Sequence, residues 1–167
     1  MKNIIKKLRT KFAFYLINGI YAGKSNYERK RRLLVKAGYE IGVGTKIVGP
    51  IYISANVKIG DNCWIGKDIE IQGNGIVEIG NNCDFGPNVI INTGGHQIGD
   101  STRRAGKCIT NKIIFKDGCW IGLRSTFINT ITIEAGCIIG ACSFVNKNTE
   151  PNCLYFGSPA KKIRNLS

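Results

Sequence analysis

The sequence predicts an all-β parallel β-helix of hexapeptide repeats, about five coils long, preceded by a helical arm and interrupted by one protruding loop. Three observations carry this. An aliphatic or aromatic residue returns at every sixth position through most of the stretch from Ile41 to Val145. One corner, Ile59-Gly-Asp-Asn-Cys, recurs as Ile79-Gly-Asn-Asn-Cys, Phe115-Lys-Asp-Gly-Cys and Ile133-Glu-Ala-Gly-Cys. The single histidine, His96, falls where the repeat breaks.

A period of six matches neither the 3.6 of a helix nor the alternation of a plain strand. It fits a ribbon in which each hexad makes one flat side and a corner, with the large residue pointing inward. A small or branched residue at the fifth place fills the space beside it. One such coil cannot bury its apolar side alone, so coils must stack. The four corners lie 20, 36 and 18 residues apart. Three hexads per coil account for 18 of each interval. About two residues are therefore inserted near Gly73–Ile76 and about eighteen around His96. The first insertion should lie one coil below Thr93–His96, at a strand spacing of roughly 4.8 Å.

Composition narrows the class further. The 167 residues are 43% hydrophobic, which suits one domain with its own core. Seven cysteines without zinc-type pairing, four of them (Cys63, Cys83, Cys119, Cys137) in one phase of the repeat, read as small core residues in a reduced protein. No metal site is expected, and one histidine excludes a multi-histidine metal centre.

Charge is concentrated at the start. Residues 1–36 hold eleven Lys/Arg against one acid, a net +10, and the rest of the chain carries +3. Ile4, Ile5, Leu8, Phe12, Tyr15, Leu16, Gly19 and Ile20 recur at helical spacing with basic residues between them. A second helix is expected over Tyr27–Ala37, stopped by Gly38. The apolar face of the first helix has two readings: it packs on the protein, or it places residues 1–24 on an anionic membrane. No nucleic-acid reading motif accompanies the charge, so nucleic acid is not an expected partner. The apolar stretch is too short and too broken for a signal peptide or a spanning helix. The expected location is the cytoplasm, or its membrane face if the helix docks there.

Ile59-Gly-Asp-Asn-Cys-Trp-Ile-Gly, Thr93-Gly-Gly-His, Gly118-Cys-Trp-Ile-Gly, Ile139-Gly-Ala-Cys-Ser and Gly157-Ser-Pro-Ala-Lys-Lys-Ile-Arg together resemble the hexapeptide-repeat acyltransferases. The likeness is to the maltose and galactoside O-acetyltransferases and the sugar O-acetyltransferases of surface-polysaccharide clusters. The resemblance implies a left-handed β-helix, a homotrimer with sites between subunits, and acetyl-CoA as acyl donor. It divides the chain into a helical arm (1–40), a β-helix (41–153) with a catalytic loop (94–112), and a coenzyme-binding tail (154–167).

Acyl transfer from a thioester to a hydroxyl needs a base near neutral pH, and His96 suits that task. Its second ring nitrogen needs an acceptor: Asp84, Asp100 or a backbone carbonyl. By resemblance Trp120 and Leu123 line the acetyl and pantetheine channel, although relatives often carry a small polar residue at the position of Leu123. Ala141, Asn146, Lys147, Lys161 and Arg164 match the coenzyme path and its phosphates, with Thr common in relatives at Asn146. Asn74, on the short insertion, and Asp84, before Phe85, are candidates for binding the acceptor's hydroxyls. The expected activity is O-acetylation of a sugar or surface-polysaccharide intermediate by direct transfer in a ternary complex. Antibiotic, amino-acid or nucleotide-amino-sugar acceptors are the enzymatic alternative, and a membrane-docking structural β-helix the non-enzymatic one.

Overall fold

The computed structural model describes residues 2–166. From residue 40 onward the chain winds as a left-handed triangular prism with three parallel faces. Face A stacks strands Glu40–Ile41, Asn56–Ile59, Ile76–Ile79, Lys112–Phe115 and Ile131–Ile133. Face B stacks Lys46–Ile47, Trp64–Ile65, Asp84–Phe85, Trp120–Ile121, Ile138–Ile139 and Cys153–Gly157, and ends on the antiparallel strand Ala160–Asn165. Face C stacks Ile51–Ile53, Ile69–Gln72, Ile90–Asn92, Thr126–Phe127 and Phe144–Val145. Five coils are complete, and Cys153–Gly157 begins a sixth. That strand starts at the last residue of the expected β-helix and continues into the stretch expected to be tail.

The register follows the hexads. Ile41, Ile59, Ile79, Phe115 and Ile133 are successive partners on face A, at intervals of 18, 20, 36 and 18 residues. Both insertions therefore leave at the edge between faces C and A, and the stack closes again above each one. Coil closure depends on one backbone feature. Gly44, Asn62, Asn82, Gly118, Gly136 and Asn152 all have positive φ and occupy the same A–B corner. Glycine and asparagine visit that left-handed region at least cost, which is why Asn-Cys and Gly-Cys alternate in the corner sequence.

Inside, Phe85, Phe115 and Phe127 form an edge-to-face stack with ring centroids 5.0 and 4.9 Å apart. The cysteines form a second column. Each thiol donates to a carbonyl one coil on: Cys63 to Gly80 (3.1 Å), Cys83 to Lys116 (3.2 Å), Cys119 to Glu134 (3.3 Å) and Cys137 to Glu150 (2.9 Å). Contact with the Cys119 thiol, then burial, pushes the Cys83 thiol up to about 12. Cys83 and burial act on Cys63 in the same upward direction.

Two helices close the first coil. Helix α1 spans Lys2–Tyr15 and runs into a π-turn, Leu16–Ile20. Helix α2 spans Tyr27–Ala37. Gly38, at φ 99°, ends it in a Schellman cap, with N–H bonds from Gly38 to Val35 O and from Tyr39 to Leu34 O. Asn18 pairs with the Ile51 backbone in both directions, 3.0 and 2.9 Å, as a strand neighbour would. Lys30 is buried, its Nζ 2.6 Å from both Gly23 O and Val48 O, and burial lowers its pKa from the usual lysine range. Ile17 and Leu34 join the prism core.

Within one chain the apolar face of α1 singled out by the periodicity is open: Ile4, Leu8, Phe12 and Tyr15 are exposed, while Ala13, Phe14 and Ile17 meet the protein. Helix periodicity cannot choose between two apolar sides, and the shape of the prism end takes the narrower one. Among the described residues no helix is long and apolar enough to cross a membrane.

Truncating the middle ring, Phe115→Ala, removes both edge-to-face contacts and leaves a cavity that flanking coils cannot fill. We expect a loss of about 3–5 kcal/mol, measured by chemical denaturation. Native protein at mildly alkaline pH should expose two thiols to an aromatic disulfide reagent, Cys108 and Cys142, with the other five reacting after unfolding. Early reaction of the whole set would refute the buried column.

Candidate active site

The eighteen-residue insertion is a two-stranded arm. Gly94–Ile98 pairs antiparallel with Ala105–Thr110, and the chain rejoins face A at Lys112, which partners Ile76. The arm therefore returns to the prism at residue 112, the last residue of the expected loop. Its tip is held by Asp100, whose Oδ1 accepts from the Thr102 N–H (2.9 Å), the Thr102 hydroxyl (2.6 Å) and the Arg103 N–H (3.2 Å). These bonds, Thr102 first, lower the Asp100 pKa.

The root is bolted to the coil below. The buried Thr93 hydroxyl donates to Gln72 O (2.8 Å) and accepts from the Gly75 N–H (3.0 Å). Asn92 Oδ1 accepts from the Gly94 N–H (2.9 Å), and the Asn111 N–H donates to Thr93 O (2.7 Å). A Cβ on Gly73 would lie 2.5 Å from Thr93 Oγ1 and 2.6 Å from Gly94 N, and one on Gly75 would strike Asn111 O. Glycines in the short insertion thus let it sit directly beneath the arm.

His96 projects from the outgoing strand, exposed, with Nδ1 2.9 Å from Gly106 O on the return strand. Of the three orienting partners considered from sequence, the backbone carbonyl is the one in place. Asp100 is occupied at the tip, and Asp84 lies on face B. A carbonyl only accepts, so the neutral ring carries its proton on Nδ1 and leaves the Nε2 lone pair available. Cys108, registered opposite His96, brings its sulfur to 3.8 Å from Nδ1.

The other candidates fall on separate parts of the prism. Asn74 shares the C–A edge with the arm root, and Asn146 and Lys147 continue that edge, linked by Asn129 Nδ2 to Asn146 O at 3.4 Å. Leu123 and Ala141 stack on the B–C edge, where the Cys142 N–H donates to Leu123 O. Asp84, Trp120, Ile138, Leu154 and Arg164 are successive partners in one row across face B. Lys161 lies on the same terminal strand, and Lys162 beside it pairs with Glu150 at 2.7 Å, which raises the lysine's pKa. One chain therefore gathers Asp84, Trp120 and Arg164 on a single face, and puts the His96 arm on another edge.

Sequence reasoning missed Gly106, Cys108, Asn111 and the clamp role of Thr93. Thr93 carried a faint signal, standing two places after an inward hexad residue where the chain leaves the coil. The Gly106 carbonyl carried none.

Comparison with known proteins places this geometry. A family described as "Hexapeptide repeat of succinyl-transferase" matches residues 56–93 and 116–147. The galactoside O-acetyltransferase of Escherichia coli K12 is 29% identical over 164 residues, covering 97% of this chain and 80% of that protein. The crystal structure of a maltose O-acetyltransferase from Clostridium difficile 630 superposes with a TM-score of 0.82 at 26% identity, over 97% of this chain and 86% of that one. A galactoside acetyltransferase in complex with coenzyme A gives the same TM-score and identity, over 97% and 81%. The repeat that builds the prism and the likeness over 97% of the chain to these enzymes make it similar throughout to the hexapeptide-repeat acetyltransferases, and support an acetyltransferase.

Proposed function

We propose that the protein transfers an acetyl group from acetyl-CoA to a hydroxyl of a sugar or surface-polysaccharide intermediate, with His96 as general base. The observation that carries this is the 2.9 Å contact between His96 Nδ1 and Gly106 O, which leaves Nε2 as the proton acceptor. The acceptor O–H gives its proton to Nε2 as its oxygen attacks the thioester carbonyl carbon. The tetrahedral oxyanion then collapses, the C–S bond breaks, and the imidazolium proton goes to the departing thiolate. Products are the acetyl ester and free coenzyme A.

The coenzyme is assigned to the row on face B. Trp120 and Arg164 are three strands apart, about 14 Å at ordinary strand spacing, a span suited to an extended pantetheine arm between thioester and phosphates. Trp120 and Leu123 line the acyl end, Ala141 on the adjoining B–C edge extends the path, Lys161 and Arg164 meet phosphate, and Asn146 and Lys147, on the C–A edge, reach it from the copy that supplies the arm. The Leu123 N–H, which donates to no backbone carbonyl among the described residues, is our choice of oxyanion donor. A backbone donor makes the departure from a small polar side chain at Leu123 harmless.

Because the arm and this row occupy different parts of one chain, the reading includes a homotrimer in which the arm of one copy faces the coenzyme row of the next. Asn74, beneath the arm, and Asp84, opposite Trp120 in the row, then border the acceptor from the two sides.

His96→Ala should lower turnover by about 10²–10⁴ with coenzyme affinity nearly unchanged, assayed by thiol release and calorimetry. Turnover near that of the parent protein would end the mechanism. An acceptor panel of galactosides, maltose and amino sugars separates O-transfer from N-transfer on the same assay. Gly75→Ala should displace the arm root and reduce turnover by about 10²-fold, since that loss accompanies a shift of roughly 1 Å in a catalytic group. Full activity of that variant would show that the short insertion does not position the base.

A further inference from the structure

Helix α1 is apolar on two sides, and the fold uses only one. Ala13 and Phe14, followed by Ile17 from the π-turn, pack on the protein, with the Phe14 ring edge-on to Tyr39 at 6.0 Å. Ile4, Ile5, Leu8, Phe12 and Tyr15 are 45–67% exposed. At 100° per residue these five fall within an arc of about 100°, centred opposite the packed side. No fold requirement accounts for a continuous apolar stripe pointing into water.

Cations border it. On the same wheel Lys7 and Lys11 flank one margin and Arg9 the other. Arg9 and Phe12 share a groove with Lys36 of α2, and Lys11 and Tyr15 rim an apolar groove of about 530 Å³ that reaches the exposed Tyr52. The charge is one-sided, eleven Lys/Arg to one Glu over residues 1–36.

We propose that this stripe is a docking surface for an anionic phospholipid bilayer, with the apolar residues entering the headgroup–acyl boundary and the flanking cations meeting lipid phosphates. Charge selects this occupant over a second copy of the chain. Pairing two such faces brings two arms of net +10 within a screening length of about 8–10 Å, where like charges repel, whereas an anionic surface attracts both. The stripe belongs to the capping helix at the first coil, and the His96 arm leaves the third. The inference does not depend on the acetyl-transfer reading.

The test is co-sedimentation of the full chain with vesicles of phosphatidylglycerol and phosphatidylcholine in equal parts, and with phosphatidylcholine alone, at low and high salt. Binding is expected only to the anionic vesicles and should weaken as salt rises. Neutralising Lys7 or Lys11 as glutamine should lower affinity about fivefold each. The double variant Leu8→Ser/Phe12→Ser should lower it on the order of a hundredfold. Both side chains are exposed, so thermal melting and thiol-release activity should match the parent protein. Three outcomes overturn the proposal: no binding at low salt, equal binding to neutral vesicles, or concentration-dependent self-association in sedimentation velocity that the double variant abolishes.

Discussion

Everything in this protein depends on closing each coil in eighteen residues. Parallel stacking requires every coil to present the same three strands at the same heights, because each N–H must meet a carbonyl one coil away. Residues in left-handed conformation at the A–B corner, six times over, and at the B–C corner, at Gly49, Asp68, Asn88, Arg124 and Cys142, make that possible. The inward columns follow from it: aromatic rings stack at one phase, and thiols cap corner carbonyls at another. An insertion in a face would break the ladder on both sides. At an edge it is tolerated, provided the chain re-enters in register, as Ile113 does opposite Val77. The edge is therefore where such a fold can afford irregular chemistry.

That constraint made most of the fold legible. The period of six, and the intervals 20, 36 and 18, place the strands of the five complete coils and both insertions. What was not legible depends on contacts across an insertion. The arm's hairpin has no hexad to mark it. Gly106 is an ordinary residue whose carbonyl matters because antiparallel register sets it within reach of a histidine ten positions earlier. Asp84 and Asp100 were better acceptors by chemistry, and neither orients His96: Asp100 is held at the hairpin tip and Asp84 lies on face B. Likewise the sequence of α1 announces an amphipathic helix but not which side is taken, since the choice belongs to the shape of the prism end.

A uniform solenoid is poorly suited to catalysis on its own. Its outward side chains stand in parallel rows, as Asp84, Trp120 and Arg164 do, and parallel rows do not converge on a reacting atom. They bind extended molecules along their length. Convergence needs a group brought in from outside the row, held stiffly enough to stay within tenths of an ångström. The arm meets that need through its root. Thr93, buried and bonded in both directions, and the glycines beneath it transmit the rigidity of the third coil to a strand that leaves the prism. In the proposed trimer, the histidine exposed in one chain faces the coenzyme row of the next.

The capping arm shows the same economy at the other end of the molecule. An open first coil presents unpaired backbone groups and apolar side chains, the hazard of any sheet edge. Asn18 answers the first by imitating a strand, Lys30 by placing its ammonium between two carbonyls, and Ile17 and Leu34 answer the second. A single turn and a half of helix suffices for that closure. The preceding turns of α1 carry an exposed apolar stripe with basic residues along its margins. Side chains so arranged raise the free energy of the isolated chain in water. On the proposed docking they enter a second phase, apolar beneath and anionic above, and a membrane leaflet has both properties.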